Sequence, residues 1–344
     1  SHDFHTCGTL DGWKAEVAAL AEGSSRLLLG LSAAFVGPLL SLVGTEGGGL
    51  HFRGPSSIGK STLLEAAASV WGGPAIVRQW RATANGLEGI AEQANDNLLV
   101  LDELAQLDAK DAGAVAYLLA NGTGKSRAAQ SGEARQPRRW RTFFLSSGEI
   151  SLSDHARSDG RGKRTPAGQD IRVLDIEADA GAGLGLFDKL VGGHTKSADL
   201  AEAIKDGAKA HYGWAGPAFV EALIGRTEEI ASIVKGGVDQ FIADNVAAGA
   251  SGQVRRAANR FALLAMAGEV AADLGILPWL LGWAMNAAKT VFAQWVAARG
   301  GVGNAEEQAA IEAVQAFLTA HGASRFQSID APVNQVIINR VGFK

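Results

Sequence analysis

The stretch RGPSSIGKST, residues 53–62, predicts the fold of the central part of this 344-residue chain. Gly54 stands six residues before Lys60, Gly59 directly precedes the lysine, the apolar run GLHF leads in, and LLEAAASVW continues as a helix. A glycine-rich turn between a strand and a helix directs backbone N–H groups and the helix N-terminus at an anion. The stretch therefore predicts a P-loop, the Walker A element, with Lys60 on the β- and γ-phosphates of ATP and the Ser61 hydroxyl on Mg²⁺. The predicted nucleotide-binding residues are Gly54, Pro55, Ser56, Ser57, Ile58, Gly59, Lys60, Ser61 and Thr62.

A second Gly-Lys-Ser, in ANGTGKSRAA at residues 120–129, fails the same test. Leu119 stands six residues before Lys125, the preceding DAGAVAYLLA is typical of a helix rather than a strand, and no helix pattern follows. Turn residues at both ends of NGTGKSRAAQSGEA predict an exposed hairpin or loop that carries Lys125 and Arg127. On these residues alone, the simplest interpretation is a solvated cationic loop.

Composition limits the class of protein. With 47% hydrophobic and 20% charged residues, the chain is typical of a globular protein of about two domains, and not of a disordered chain or a disulfide scaffold. The formal net charge of −4 provides no bulk attraction to nucleic acid, so such binding would need local basic clusters. Cys7 is the single cysteine and cannot form an internal disulfide, which favours a reducing, cytoplasmic location.

One apolar segment has about the minimum length of a membrane-spanning helix. LLLGLSAAFVGPLLSLVG, residues 27–44, is uncharged, but it contains Pro38, three glycines and two serines. A buried helix that bends near Pro38 is the favoured interpretation, and no membrane contact is expected.

Four regions follow from the pattern along the chain. Between residues 45 and 180, short apolar runs alternate with helical stretches, which predicts a parallel sheet with helical crossovers. A glycine-rich stretch at residues 44–49 predicts a flexible break before it, and alanine-rich windows at 252–274 and 283–298 predict helices of a lid. The predicted regions are a helical N-terminal segment (1–44), an α/β P-loop ATPase core (45–180), a helical lid domain (181–323) and the start of a small further domain (324–344).

Two further strands are expected to complete the nucleotide site. NLLVLDE, residues 97–103, is an apolar strand ending in two acids, the form of a Walker B element. Asp102 is expected to hold Mg²⁺ and Glu103 to polarise the attacking water. WRTFFLSSGE predicts a buried strand lying between the two Walker strands, so that Ser146 or Ser147 at its tip is a candidate sensor of the γ-phosphate. Ordinary turn chemistry is the alternative for these serines.

Arginines supply the remaining candidates. Many P-loop NTPases use an arginine finger, which a neighbouring protein molecule can supply, to stabilise charge on the transferring phosphoryl group. Arg172, near the start of the apolar run QDIRVLDIEAD, is one candidate, although a plain ion pair with Asp170 or Asp175 is the alternative. Competing candidates in the preceding loop are Arg157, Arg161 and Arg164.

A second arginine group lies on one predicted helix and contains Arg255, Arg256 and Arg260. The spacing places Arg256 and Arg260 on the same face. A lid contact with the γ-phosphate, a solvated basic face, and contact with DNA or another subunit all remain open for this group.

Taken in order, the motifs resemble a known family. The set comprises GPSSIGKST, SVWGGP, TANGLE, LLVLDE, YLLANGTGKSRA, RRWRTFFLSSGE and GQDIRVLDIEAD, followed by LFDKL, HYG, QVRRAANRFALLAMAGEVAADLGILPW and SRFQ. Together they resemble domain of unknown function 927, a family of predicted helicase domains in phage and mobile-element proteins, often attached to primase modules. That family in turn resembles ring-forming AAA+ helicases, particularly superfamily three.

The resemblance implies more than the motifs do. Such helicases place a cationic β-hairpin between the Walker B strand and the sensor strand, where it grips single-stranded DNA in the pore of a ring, commonly a hexamer. Lys125 and Arg127 occupy that slot. Arg172 is favoured as the finger because viral relatives carry an Arg followed by Val at this point. Those relatives commonly use Asn as the sensor, whereas this chain has Ser146 and Ser147.

The predicted function is an ATP-dependent DNA helicase or translocase in phage or mobile-element replication, with ATP and Mg²⁺ as cofactors. The alternative is an AAA+ ATPase switch or loader that remodels a protein partner without translocating on DNA. A small-molecule kinase is a third option. The sensor-like strand, the late Arg172 and the lack of a recognisable acceptor-binding lid all argue against a kinase.

Overall fold

The computed structural model describes residues 4–124, 127–128, 134–158, 172–303, 305–322, 324–327, 329 and 339–343. Within them, five parallel strands form a central sheet. In chain order, all nine strands of the described residues are β1 (Gly48–Arg53), β2 (Val77–Gln79), β3 (Leu98–Asp102), β4 (Arg127–Ala128), β5 (Ala134–Arg135), β6 (Phe143–Gly148), β7 (Val173–Glu177), β8 (Phe326–Gln327) and β9 (Gly342–Phe343). The large sheet has the order β2-β3-β6-β1-β7, and β4 with β5 and β8 with β9 form separate pairs.

Helices surround this sheet and make up most of the second half of the chain. The first, α1 (Leu10–Trp13), continues as a π-helix (Lys14–Ala18) and a 3₁₀ turn (Ala19–Ala21). The others are α2 (Ser25–Ala33), α3 (Val36–Val43), α4 (Lys60–Ser69), α5 (Ala84–Gln93), α6 (Ala109–Asn121), α7 (Leu152–Arg157), α8 (Ser197–Ala210), α9 (Ala215–Leu223), α10 (Thr227–Asn245), α11 (Gly252–Asp273), α12 (Trp283–Ala298) and α13 (Ala305–His321).

The strand order gives the sheet two chemically different edges. Because all five strands are parallel, β1, β3 and β6 end at one edge, here called the carboxyl edge, and begin at the opposite amino edge. Strand β6 pairs with β1 on one side and with β3 on the other. The prediction that the serine-bearing strand lies between the two Walker strands is therefore confirmed.

The predicted fold class is confirmed: a parallel α/β core of the P-loop type, with helices before and after it. Windows predicted as helical at 252–274 and 283–298 correspond to α11 and α12. One continuous hydrophobic core joins the N-terminal helices, one face of the sheet and the C-terminal helices; its large members include Trp13, Phe35, Phe52, Phe261 and Phe292. A second cluster, around Trp80 and Phe144, covers the other face. The domain limits proposed from the sequence stay a prediction.

The apolar segment at residues 27–44 is a bent helix pair inside the core. Helices α2 and α3 meet at an angle of 60°. The bend lies at residues 34–35, just before Pro38, which falls in the first turn of α3, where a proline ring is tolerated. Every residue of α2 is buried. Among the described residues no single helix is long and apolar enough to cross a bilayer, and only this bent pair has the length and composition when taken together.

The expectation of a flexible break at residues 44–49 is wrong for its second half. Residues 47–49 are buried, and β1 already begins at Gly48. A Cβ at Gly49 would lie 2.6 Å from the Phe144 ring, one at Gly48 would lie 2.7 Å from Nε of Arg260, and one at Gly47 would lie 2.2 Å from the Thr142 carbonyl oxygen. Glycine is therefore required here by close packing rather than by loop freedom.

Gly49→Ala is expected to lower the free energy of unfolding by about 1–3 kcal/mol, because the added methyl group must displace a buried aromatic ring in a close-packed core. The matched control is Gly236→Ala, since Gly236 lies in α10 with open space around its Cα. That change is expected to stabilise the helix by about 0.5–1 kcal/mol. Urea unfolding of both variants measures the difference, and an unfolding free energy for Gly49→Ala equal to that of wild type would contradict this account.

Candidate nucleotide-binding site

The P-loop has the strand–loop–helix context that the sequence predicts. Strand β1 ends at Arg53, and α4 begins at Lys60 after Gly59, whose φ of 101° lies in the left-handed region. No side chain caps α4, so the first N–H groups of this helix face the loop and donate to no capping side chain. Two backbone bonds hold the loop: the Gly54 N–H donates to the Gly148 carbonyl (3.2 Å), and the Leu186 N–H donates to the Ile58 carbonyl (2.8 Å). An uncapped helix N-terminus behind a fixed glycine loop suits an anion such as phosphate.

The Lys60 ammonium lies across this loop. Its Nζ donates to the carbonyl oxygens of Gly54 and Pro55, both at 2.7 Å. Partial burial lowers the pKa of Lys60, and four nearby carboxylates oppose that shift: Glu149, Asp102, Glu103 and Glu177. The lysine therefore places its cation at the mouth of the loop, where phosphate charge would be bound.

The Walker B acids lie beside the loop at the carboxyl edge. Asp102 ends β3, and its Oδ1 accepts hydrogen bonds from the Ser147 hydroxyl and from the Glu103 N–H, the latter at 3.0 Å. Glu103 has φ 64°, a left-handed conformation that is costly for a residue with a side chain. Such strain is concentrated at functional sites, and no sequence pattern reveals it.

These elements surround a cleft of about 480 Å³. Its walls are the P-loop, the end of β3, the end of β6 and one face of α8. The α8 residues on it, which the sequence did not predict, are Ala198, Ala201, Glu202 and Lys205. The Lys205 ammonium lies 3.4 Å from the Glu65 carboxylate of α4. No local motif marks α8, since only its packing beside α4 brings it to the cleft.

The chemistry of the site fits a magnesium–nucleotide complex. Among the described residues no group of three or more His, Cys, Asp or Glu side chains is arranged to hold a metal ion alone. Mg²⁺ in phosphate sites is held by one or two carboxylates, waters and the phosphates themselves. Asp102 and Ser61, which line the same cleft, would supply a partial shell of this kind.

The two adjacent serines point to opposite faces of β6. Ser147 lines the cleft and contacts Asp102. Ser146 is fully buried on the other face, where its hydroxyl oxygen accepts from the Trp80 indole N–H (2.8 Å) and lies 2.9 Å from Nδ1 of His51. Burial lowers the pKa of His51 to about 4, so the imidazole is neutral near pH 7. Its Nε2 lies 3.0 Å from the Ile150 carbonyl oxygen, which makes Nε2–H the donor and Nδ1 the acceptor of the Ser146 proton.

Ser146→Ala is expected to lower the free energy of unfolding by about 1–3 kcal/mol with turnover near wild type, because the buried Trp80 N–H loses its acceptor. Ser147→Ala is expected to do the reverse, lowering turnover with little effect on stability. Urea unfolding and ATP turnover on the same preparations test both statements. A Ser146→Ala protein with wild-type stability and lost turnover would make Ser146 the sensor.

Arg172 lies at the amino edge, away from its own cleft. Its guanidinium donates from Nη1 to the Asn121 side-chain oxygen, lies 3.5 Å from the Glu46 carboxylate, and stacks over the Tyr117 ring at 4.8 Å from the centroid. Strand β7, which Arg172 precedes, spans about 17 Å at 3.3 Å per residue. The structure thus separates Arg172 from the P-loop of the same chain.

Arg256 and Arg260 are on one face of α11, as expected, and both line a second cleft of about 530 Å³ at the amino edge. The Arg260 Nε is buried and has no hydrogen-bond partner among the described residues. Burial, with Arg172 nearby, lowers the pKa of Arg260 to about 10. A lid contact between Arg260 and the γ-phosphate of its own subunit does not fit this position. Arg255 donates to the Ala248 carbonyl (3.2 Å).

The loop candidates for the finger divide into described and undescribed residues. Arg157 is in α7 and pairs with Asp154 at 2.9 Å. Arg161 and Arg164 lie outside the described residues.

The predicted hairpin is present as an antiparallel ribbon. Strand β4 pairs with β5, and Arg127 is opposite Arg135. Nearer the core, Thr123 bridges Arg139 in the same antiparallel sense. The ribbon follows α6 directly and precedes β6, so it occupies the expected slot between the Walker B strand and the serine-bearing strand. Lys125 lies outside the described residues.

Comparison with known proteins agrees with the resemblance found in the motifs. Residues 1–139 match the family model described as "Domain of unknown function (DUF927)", which confirms the predicted resemblance over that part of the chain. No curated protein matches. A similar solved structure is titled "SCCmec type IV Cch - active helicase", with a TM-score of 0.72 and 22% sequence identity over 97% of this chain. The match covers 59% of the length of that chain. At this identity, the likeness shows a shared fold.

Proposed function

We propose that the chain is an ATP-hydrolysing DNA helicase motor of a phage or mobile-element replication protein, in which ATP is bound between neighbouring subunits of a hexameric ring. One observation carries the proposal. The P-loop, Asp102 and Glu103 are at the carboxyl edge of the sheet, whereas Arg172 is at the amino edge. A head-to-tail contact between subunits would bring these edges together, and repetition of such a contact closes a ring when the rotation from one subunit to the next divides a full turn.

Each residue then has a defined task. The P-loop N–H groups and Lys60 bind the phosphates, and Ser61 and Asp102 hold the metal ion. Bound Mg²⁺ supplies charge neutralisation on the β- and γ-phosphates. Glu103 orients and polarises the attacking water, and Ser147, through Asp102, senses the γ-phosphate. Arg172 of the neighbouring subunit stabilises the charge of the transferring phosphoryl group.

The ribbon supplies the contact with DNA. Lys125 and Arg127 would neutralise backbone phosphates of a single strand in the pore, and the motion of the ribbon during the ATP cycle would carry the strand along. The similarity to a solved structure titled "SCCmec type IV Cch - active helicase" supports this assignment. A primase module is a proposed partner.

The test is steady-state ATP hydrolysis with and without single-stranded DNA, on wild type and Lys125→Ala, at concentrations that span assembly. Stimulation by DNA is expected in wild type and is expected to be lost in Lys125→Ala, while turnover without DNA stays. Lys209→Ala, an exposed lysine of α8 paired with Asp206, is the matched control. Equal loss of basal turnover in Lys125→Ala, or wild-type turnover that ignores DNA, would overturn the proposal.

An ATPase switch or loader that acts on a protein partner is the second candidate, favoured by the net charge of −4. Salt dependence separates the two. Neutralisation of strand phosphates by cations gives binding that weakens steeply with salt. Remodelling of a protein partner requires no binding to single-stranded DNA, so a switch or loader need not show this salt-dependent binding.

A further inference from the structure

Helix α6 connects the places that the proposed function uses. It begins seven residues after Asp102, at the carboxyl edge, and its 13 residues span about 20 Å to the amino edge. There Gly122 ends the helix in a left-handed conformation, φ 72°, and the chain enters the ribbon. One helix thus runs from the Walker B acids to the base of the DNA hairpin.

Arg172 is attached to the last turns of the same helix. The Asn121 side chain accepts from the Arg172 guanidinium, and the Tyr117 ring lies beneath it. Asn121 and Tyr117 are four residues apart and therefore share a face of the helix. The Arg172 backbone is held independently, because its carbonyl accepts from the Gly49 N–H of β1 at 3.1 Å. The side chain is thus the part of Arg172 that α6 orients.

The base of the ribbon is attached to the same end of α6. Trp140, which follows the Thr123–Arg139 bridge, donates its indole N–H to the Leu119 carbonyl (2.9 Å, buried) and its backbone N–H to the Gly122 carbonyl (2.9 Å). The Gly124 N–H donates to the Arg138 carbonyl at 2.8 Å. These bonds leave the base of the ribbon little freedom to move apart from the helix.

We propose that Tyr117 and Asn121 are positioning residues that fasten the Arg172 guanidinium to α6, so that the guanidinium and the base of the ribbon move together. The inference rests on the proposed function, in which Arg172 binds the nucleotide of the neighbouring subunit. A pull on the guanidinium from that nucleotide is then transmitted through Asn121 and Tyr117 to the helix end and the ribbon. If the neighbouring nucleotide changes the affinity of the ribbon for DNA by some factor, linkage requires that bound DNA change the affinity for that nucleotide by the same factor.

The test is the double variant Tyr117→Leu/Asn121→Ala. Both side chains are exposed at the surface, so the fold is expected to survive, which a melting curve checks. Two readouts are compared with wild type: binding of a fluorescent oligothymidine in the absence of nucleotide, where the linkage makes no contribution, and the ratio of ATP turnover with and without that DNA. We expect wild-type DNA binding, and a stimulation ratio that falls to near one.

Two controls separate linkage from simple damage. Tyr117→Phe keeps the ring beneath the guanidinium and is expected to keep the wild-type ratio. Lys110→Ala changes the first turn of the same helix, 11 residues before Asn121, and is expected to keep it as well.

Each other result overturns the inference. A double variant with a wild-type ratio would show that the contacts with Arg172 carry no signal. A parallel fall of basal and stimulated turnover with a lower melting temperature would show a purely structural role. A wild type that DNA does not stimulate would overturn the proposed function, and the inference would fall with it.

Discussion

Lys60→Ala is expected to abolish ATP turnover, with a loss of at least about a hundredfold, the effect of removing one charge-stabilising donor from a phosphate or oxyanion site. The physical reason is position: the ammonium lies 2.7 Å from the loop carbonyls of Gly54 and Pro55 and beside the uncapped N-terminus of α4. No backbone group of the loop can replace a mobile positive charge. Phosphate release, measured together with binding of a fluorescent nucleotide, separates loss of chemistry from loss of affinity.

The fold should tolerate this change. Partial burial lowers the pKa of Lys60, which means that the charged form is disfavoured in the folded protein, and alanine removes that cost. We therefore expect a melting temperature no lower than that of wild type. Lys209→Ala serves again as the exposed control. Turnover that persists in Lys60→Ala would point to another cation on the cleft, and Lys205 is the described residue that could supply it.

Arg172→Ala is expected to lower turnover by about a thousandfold or more, the range measured for arginine fingers, while nucleotide binding persists. A mixing experiment tests whether the residue acts between subunits. Lys60→Ala and Arg172→Ala proteins are each inactive alone. In a random mixture about a quarter of the contacts join an intact cleft to an intact arginine, because neighbouring subunits meet head to tail. Turnover should therefore reappear on mixing.

Controls keep this result interpretable. Affinity capture of a tagged variant must retrieve the untagged one, which shows that mixed assemblies form. Arg226→Ala, which changes a surface arginine paired with Glu229, should keep turnover. Mixed assemblies without turnover would exclude action between subunits. An active Arg172→Ala protein would move the role to a loop arginine, Arg157, Arg161 or Arg164.

Much of the candidate site could be predicted because its chemistry is local. The P-loop needs glycines, a lysine and a hydroxyl within ten residues, and the Walker B strand needs an apolar run before Asp102 and Glu103. Both patterns depend on short-range backbone geometry, so they survive in the sequence. The position of β6 between these strands followed from the order of the apolar runs and the fold they resemble.

Other features depend on packing between distant residues. The choice between Ser146 and Ser147 depends on which face of the sheet each side chain occupies. A shift of one residue in the register of β6 would exchange the two faces, and so the two serines. The buried start of β1 looked like a flexible break because glycine serves loops and close contacts alike, and only the Phe144 ring and Arg260 distinguish the two. The α8 wall of the cleft and the attachment of Arg172 to Asn121 join residues that are far apart in sequence.

The two-edged sheet has a consequence for how activity would depend on assembly. If Arg172 completes the cleft of the next subunit, an open row of subunits leaves one cleft at its first end and one arginine at its last end without a counterpart. Short rows lose the largest share of their sites, a single subunit has none, and only closure makes the number of working sites equal to the number of subunits. The specific activity would then rise with protein concentration as free ends disappear, before any DNA is added.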